Sequence, residues 1–171
     1  MKLRMLSFAI LALALSLAIP AGTRAEGQPL NLPCVTGVTV EPIGQAMPAE
    51  APGQALVVLR ITIAPGGGFQ PHTHPGTLVV SIESGQFALT QLDASMPMSV
   101  MRAASNGTPA ASEQLTAGAT AVLNPGDWFV EPKGMLHKMT NAGNAPTVVL
   151  VSGVVDPNLP LVQCVSGTPT P

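Results

Sequence analysis

Tyrosine is absent from this chain of 171 residues, tryptophan occurs once (Trp128) and phenylalanine four times. Proteins that stack nucleic-acid bases need aromatic rings interleaved with basic residues, and no such stripe exists here. Charge is scarce as well: Asp, Glu, Lys and Arg together make up 9% of the residues. Three of the seven basic residues (Lys2, Arg4 and Arg24) fall within the first 25 positions. The remainder sets Arg60, Arg102, Lys133 and Lys138 against nine acids, a net charge near −5. That balance argues against nucleic acid and anionic lipid surfaces as partners. No segment shows a 3.6-residue apolar period over three turns, so long amphipathic helices are not expected. Cysteine occurs only at positions 34 and 164, and histidine only at 72, 74 and 137.

The first 25 residues read as a secretory signal peptide. Lys2 and Arg4 give a positive start, and Leu6 to Ile19 is an apolar run too short to span a bilayer comfortably. Pro20, Ala21 and Gly22 break the run, and Thr23-Arg24-Ala25 offers a small-residue cleavage site. The expected protein is exported, to the periplasm or the medium, with no membrane contact once the leader is removed. In that setting an even pair of cysteines reads as a disulfide, here Cys34 to Cys164. Such a bond ties residues 156–171, a C-terminal tail, back to an N-terminal arm at 26–54.

The arm is rich in Pro, Gly, Gln and Ala and contains one short strand, Val35 to Val40. An arm of this kind is also suited to exchange between the subunits of a homodimer. Residues 55–155 then run through short β-branched segments: 55–63, 78–83, 86–92, 119–123, 128–131, 136–139 and 147–155. Turn signals separate them, among them Ser84-Gly85, Asn124-Pro125-Gly126-Asp127 and Pro132-Lys133-Gly134. Some eight short strands and 18 prolines predict an all-β sandwich or barrel, and a jelly roll fits the count. Residues 93–118 form an insertion, read either as a lid over one barrel mouth or as a surface loop.

The three histidines do not scatter. His72 and His74 are two apart, so on a strand they share a face. A third imidazole brought by His137 from another strand completes a facial three-nitrogen site for a transition metal. The segment Gly66 to Gly85 fits the pattern G-x5-H-x-H-x(3,4)-E-x6-G at Gly66, His72, His74 and Gly85. The segment Gly126 to Asn141 fits G-x5-P-x-G-x2-H-x3-N at Gly126, Pro132, Gly134, His137 and Asn141. Through these two motifs the sequence resembles the cupin family over roughly residues 55 to 153. The resemblance implies a single jelly-roll β-barrel, like the small single-domain and quercetin-dioxygenase-like cupins, holding one divalent metal on His72, His74 and His137. It departs in one place: the first motif's glutamate should fall at 78 or 79, where Leu78 and Val79 stand. The family's four ligands are thus expected to shrink to three histidines, which would leave the metal a full 2+ charge and greater Lewis acidity.

Three acids are candidates to replace the missing one. Glu83 should face outward by strand parity, Asp127 sits in a turn as a solvated cap, and Glu131 flanks Phe129 in the second motif. Gln70 and Gln91 are polar candidates for the pocket wall. Phe69, Leu78, Val80, Ile82, Phe87 and Met135 are expected to line a mostly apolar pocket. The ligand implied is a small organic molecule, neutral or weakly acidic, gripped by the metal at one polar end. Three imidazoles do not name the ion, and Fe, Mn, Zn, Ni and Cu all remain open. Copper gains from Met135 and Met139, two residues either side of His137, and from Met96, Met98 and Met101 if these cover the mouth; core packing explains the same methionines. The resulting functional alternatives are a metal-dependent dioxygenase-like enzyme, a non-catalytic cupin holding a metal or small ligand, and a scaffold.

Overall fold

The computed structural model describes residues 27–104 and 109–165. The stretch 1–25, read from sequence as a signal peptide, and the last six residues of the tail lie outside the described residues. The described residues contain twelve strands and no helix. They form a nearly closed, mostly antiparallel barrel, the jelly roll expected from sequence. In chain order the principal strands are β2 (Val35–Ala46), β3 (Ala55–Thr73), β4 (Gly76–Ser84), β5 (Phe87–Gln91) and β6 (Met98–Ala103). After these come β7 (Pro109–Leu115), β8 (Thr120–Leu123), β9 (Trp128–Glu131), β10 (His137–Asn141) and β11 (Thr147–Val155). Two short strands, β1 (Gln28–Pro29) and β12 (Gln163–Cys164), lie at the ends.

The strands are ordered β7-β6-β9-β4-β11-β3-β10-β5-β8, with β2 and β12 also paired to β3. Strand β3 holds the barrel together. Its first half pairs with β11 from Ile63↔Thr147 to Ala55↔Val155. Beyond the bend at Pro65-Gly66-Gly67-Gly68, its second half pairs with β10. One strand therefore serves two parts of the barrel, which brings the residues after the bend, His72 included, to the barrel wall beside β10. The arm strand β2 is twice the length expected from sequence and pairs along β3 of its own chain.

Alternation on the strands sets the interior. On β4, Leu78, Val80 and Ile82 are buried while Thr77, Val79 and Glu83 are exposed. On β9, Phe129 and Glu131 point inward and Val130 outward. Phe87 and Phe129 meet inside with ring centroids 6.0 Å apart. Each such fully buried ring or branched aliphatic contributes about 1.5–3 kcal/mol through removal from water. Two motif glycines are explained by the backbone. Gly85 has φ 81°, and a side chain there would collide with Thr147 at 2.7 Å. Gly134 turns the chain from β9 into β10 at φ 78°, a conformation that L side chains disfavour.

Among the described residues, the insertion carries two strands rather than a mouth-covering or unstructured loop. Strands β6 and β7 pair with each other, and β6 also pairs with β9. Met98 and Val100 are buried against this edge of the barrel. The methionines at 98 and 101 are thus sheet residues, and they do not fold over the histidines as a copper-binding cover would.

Candidate metal centre

The three histidines converge from two strands. His137 on β10 lies opposite His72 on β3 in the ladder, and facing residues of an antiparallel pair project to the same side. His74 follows just past the end of β3 and keeps the parity of His72. The imidazole centroids are 4.4 Å apart for His72 and His137, 4.9 Å for His72 and His74, and 5.3 Å for His74 and His137. Their candidate ligand atoms all lie within 4.8 Å of one another.

Each ring is fixed from behind by a backbone carbonyl. Nδ1–H of His72 donates to Gln70 at 2.8 Å, that of His74 to Leu161 at 2.6 Å, and that of His137 to Met135 at 3.0 Å. A carbonyl can only accept, so Nδ1 carries the proton and Nε2 is left to face the centre. All three Nε2 atoms are buried and make no hydrogen bond. Buried nitrogens are normally satisfied, and three orphans aimed at one point suit a cation that needs three lone pairs. The residues present therefore fit a divalent transition ion.

A fourth group adjoins them, the last of the three acids considered above. Glu131, on β9, is fully buried. Its Oε1 is 3.1 Å from Nε2 of His137 and its Oε2 3.4 Å from Nε2 of His74. Neither contact is aligned as a hydrogen bond. Burial pushes the Glu131 carboxyl upward, but the His137 and His74 imidazoles outweigh it and hold the group at about 2. Burial, with His137 and His74 adding to it, presses His72 down to about 3. Burial also lowers His74, against the pull of Glu131. On His137 burial is outweighed by the Glu131 carboxylate, and the ring is raised. At neutral pH the centre thus holds an anion at Glu131 and a neutral ligand at His72.

The other two acids have other duties. Glu83 is exposed and accepts from Arg60 at 2.8 Å. Asp127 is not a solvated cap: it is buried and accepts from Arg102 at 2.8 Å and from the amides of Ala103 and Asn124 at 2.9 and 3.0 Å. It anchors the β8–β9 turn to the β6–β7 hairpin. Asn141, the last residue of β10, braces the turn that follows, donating to Ile63 at 2.9 Å and Ala145 at 2.8 Å. Gln70 is exposed. Gln91 is buried opposite His137 in the β5–β10 ladder, with its amide donating to the carbonyls of Asp93 and Met96.

A cavity of about 280 Å³ opens beside the histidines. Phe69, Leu78, Val80 and Phe87 line it, as do Val149, Val151 and Met139. Ile82 and Met135, placed in the pocket by sequence, are fully buried but do not line it. Ile82 lies further along β4, where it pairs with the Asp127 turn. Met135 precedes β10, so the strand parity that linked it to His137 does not apply. Sequence missed the parts of the wall given by Met139, Val149 and Val151, and those from the outer segments of the chain, Leu30 and Leu32 before β2 and Pro160, Leu161 and Val162 before β12. Cys34 and Cys164 are bonded, with Cα atoms 5.6 Å apart, and hold these two segments together. Only His72, His74 and Glu131 among the lining side chains can ionise.

A germin-like protein of Arabidopsis thaliana (subfamily 1 member 4) is 32% identical over 97 residues, 56% of this chain and 36% of that protein. Germin-like protein 4-1 of Oryza sativa subsp. japonica is 30% identical over 133 residues, 75% of this chain and 45% of that protein. The chain thus spans less than half the length of either relative. The solved polyketide cyclase RemF of Streptomyces resistomycificus superposes with a TM-score of 0.49 at 15% identity, covering 84% of this chain and 82% of its own. The family model described as Cupin matches residues 42–163, from the arm strand to β12, and the chain belongs to the cupin family.

Proposed function

We propose that the chain is an exported, metal-dependent cupin enzyme, dioxygenase-like, acting on a small and mostly apolar organic molecule. The observation that carries this reading is the convergence of three carbonyl-anchored imidazoles with unpartnered Nε2 atoms, two of which, His72 and His74, line an apolar cavity. His72, His74 and His137 would hold the ion. A bound ferrous or manganous ion would supply Lewis acidity and redox chemistry toward dioxygen. The protein's part is positional. The apolar walls exclude water and leave a substrate one polar direction in which to point, toward the histidines. The cavity sits near the lower end of the usual range of about 300–1,000 Å³, which favours compact substrates. Compact β-diketones and enols, which present two oxygens at one end, suit that shape.

Export is supported by the leader-like first 25 residues and by the disulfide, a bond of oxidising compartments. A non-catalytic cupin that merely holds its ligand is the second reading, favoured by one feature: no lining side chain beyond His72, His74 and Glu131 can act as acid or base. The two separate on one experiment. The untagged protein and a His137→Ala variant are assayed for metal content, and the iron- and manganese-loaded forms for oxygen uptake with a panel of small diketones and enols. About one equivalent of metal, lost in the variant, with substrate-dependent oxygen uptake supports the enzyme. Metal and ligand binding with no uptake supports the holder. Absence of metal after reconstitution with Mn, Fe, Ni, Cu and Zn sinks both.

A further inference from the structure

The first cupin motif calls for a glutamate at 78 or 79, and this chain has Leu78 and Val79. In the β4–β9 ladder the residue directly opposite Leu78 is Glu131. Facing side chains of an antiparallel pair project to the same side, with Cβ atoms about 4.5–5.5 Å apart. A carboxylate on either member of this pair therefore reaches the same region of the interior. Leu78 and Glu131 are each 1% exposed, and both line the cavity beside the histidines.

The carboxylate has no other partner that would explain its burial. Both of its oxygens lack an aligned hydrogen bond, a rare state for a buried charge. The two arginines among the described residues are engaged elsewhere, Arg60 with Glu41 and Glu83, Arg102 with Glu113 and Asp127. What lies within 3.1 and 3.4 Å of Glu131 are the same Nε2 atoms of His137 and His74 that face the centre. Nitrogen lone pairs and carboxylate oxygens crowded together without hydrogen bonds are the arrangement that a cation resolves.

We propose that Glu131 is the fourth ligand of the metal centre, so that the family's glutamate has crossed one strand of the sheet while keeping its place in space. The assignment rests on the reading that His72, His74 and His137 hold a metal. It reverses the expectation of a ligand set without charge: three imidazoles and one carboxylate leave a divalent centre with a net charge of 1+. A carboxylate oxygen also favours manganese or iron over copper, which the soft methionine set would have preferred. With Glu131 on the metal, the cavity wall keeps no free carboxylate to serve as a base.

The test uses the full untagged protein and Mn(II) as the probe, with affinity measured by chelator competition and ligand change read from the Mn(II) electron paramagnetic resonance spectrum. Glu131→Gln preserves shape and removes the charge. Glu131→Leu removes the ligand atoms. The exchange Leu78→Glu with Glu131→Leu returns the carboxylate to the motif position and keeps the same two side chains in the core. Losing an outer-sphere partner costs about 10–100-fold in affinity, so a ligand should cost more than about 100-fold in Glu131→Gln and Glu131→Leu. The exchange should recover affinity to within about tenfold of wild type, with a wild-type-like spectrum. Melting curves establish that each variant is folded, and the exchange variant decides the matter if the single substitutions unfold. Wild-type binding with Glu131→Gln within about threefold of it overturns this assignment alone, as does an exchange variant no tighter than Glu131→Leu. A wild-type chain that takes up neither Mn(II), Fe(II) nor Zn(II) overturns the assignment together with the reading beneath it.

Discussion

Removing the Cys34–Cys164 disulfide should weaken both the fold and the metal centre, and the structure gives a size to each effect. The bond closes a loop with a sequence separation of 130. In the chain-entropy model a loop of that length raises stability by about 5 kcal/mol, an upper figure because residual structure in the denatured chain reduces it. For a domain of this size the corresponding fall in Tm is about 10–20 °C. The second effect follows from where Cys164 sits. It pairs with His72 in the β12–β3 ladder, and three residues before it the Leu161 carbonyl accepts from Nδ1 of His74. Pro160, Leu161 and Val162 wall the cavity. Freeing this segment removes the brace behind one imidazole, which should lower Mn(II) affinity by about tenfold, the low end for loss of an outer-sphere partner. The double variant Cys34→Ser/Cys164→Ser avoids new thiolates that would bind metal themselves. Urea unfolding of the apoprotein and chelator competition give the two numbers. A midpoint shift worth less than about 1 kcal/mol would refute the loop argument. A large loss of stability with unchanged metal affinity would refute the claim that the tail positions His74.

Substitutions at three further positions test the turns around the site. Asp127→Ala should destabilise by about 2–4 kcal/mol, because it removes one acceptor of Arg102 and strands the amides of Ala103 and Asn124. Burial raises the Asp127 carboxyl, but those amides and Arg102 outweigh it and hold it below its ordinary 3.8. Its contribution is therefore present above pH 3.8 and fades as the pH falls below that value, so the variant should lose part of the acid sensitivity seen in wild-type melting curves. Asn141→Ala should cost about 2–3 kcal/mol by releasing Ile63, Ala145 and Gly143, while metal content stays at wild-type level. Gly134→Ala has open space around the new methyl but a φ of 78°, so denaturant midpoints should show a loss of about 1–2 kcal/mol, and Gly134→Asn a smaller one.

Much of this molecule can be read from local pattern, and the parts that cannot share a cause. Alternation on Leu78, Val80 and Ile82 places an inward face on β4, and the HxH spacing places His72 and His74 on one side of β3; both depend only on the twofold period of a strand. Parity is not assured past a strand's end: it carries over to His74, just beyond β3, but not to Met135, ahead of β10. Met135 is two residues from His137, yet it lies in the turn, and counting in twos across that boundary put it in the wrong place. The hairpin at 98–115 escaped because small polar residues such as those of β7 carry weak strand signals, and its pairing with β9 spans nearly 30 residues of sequence.

Glu131 shows the same limit at the chemical centre. In Trp128-Phe129-Val130-Glu131 both faces offer apolar residues, so alternation alone does not say which face is inward. The default for a carboxylate is solvent, and nothing local overrides it. The deciding fact is the register of β4 on β9, which sets Glu131 opposite Leu78, and register is a property of the assembled barrel. One signal did lie in the sequence: the first motif is short of a single acid, and the second carries one immediately before its proline, at Glu131-Pro132. The two anomalies make sense only together, because a sheet offers any interior point to at least two strands. A ligand missing from one strand should therefore be sought at the inward positions of the strand paired with it before the ligand set is called incomplete.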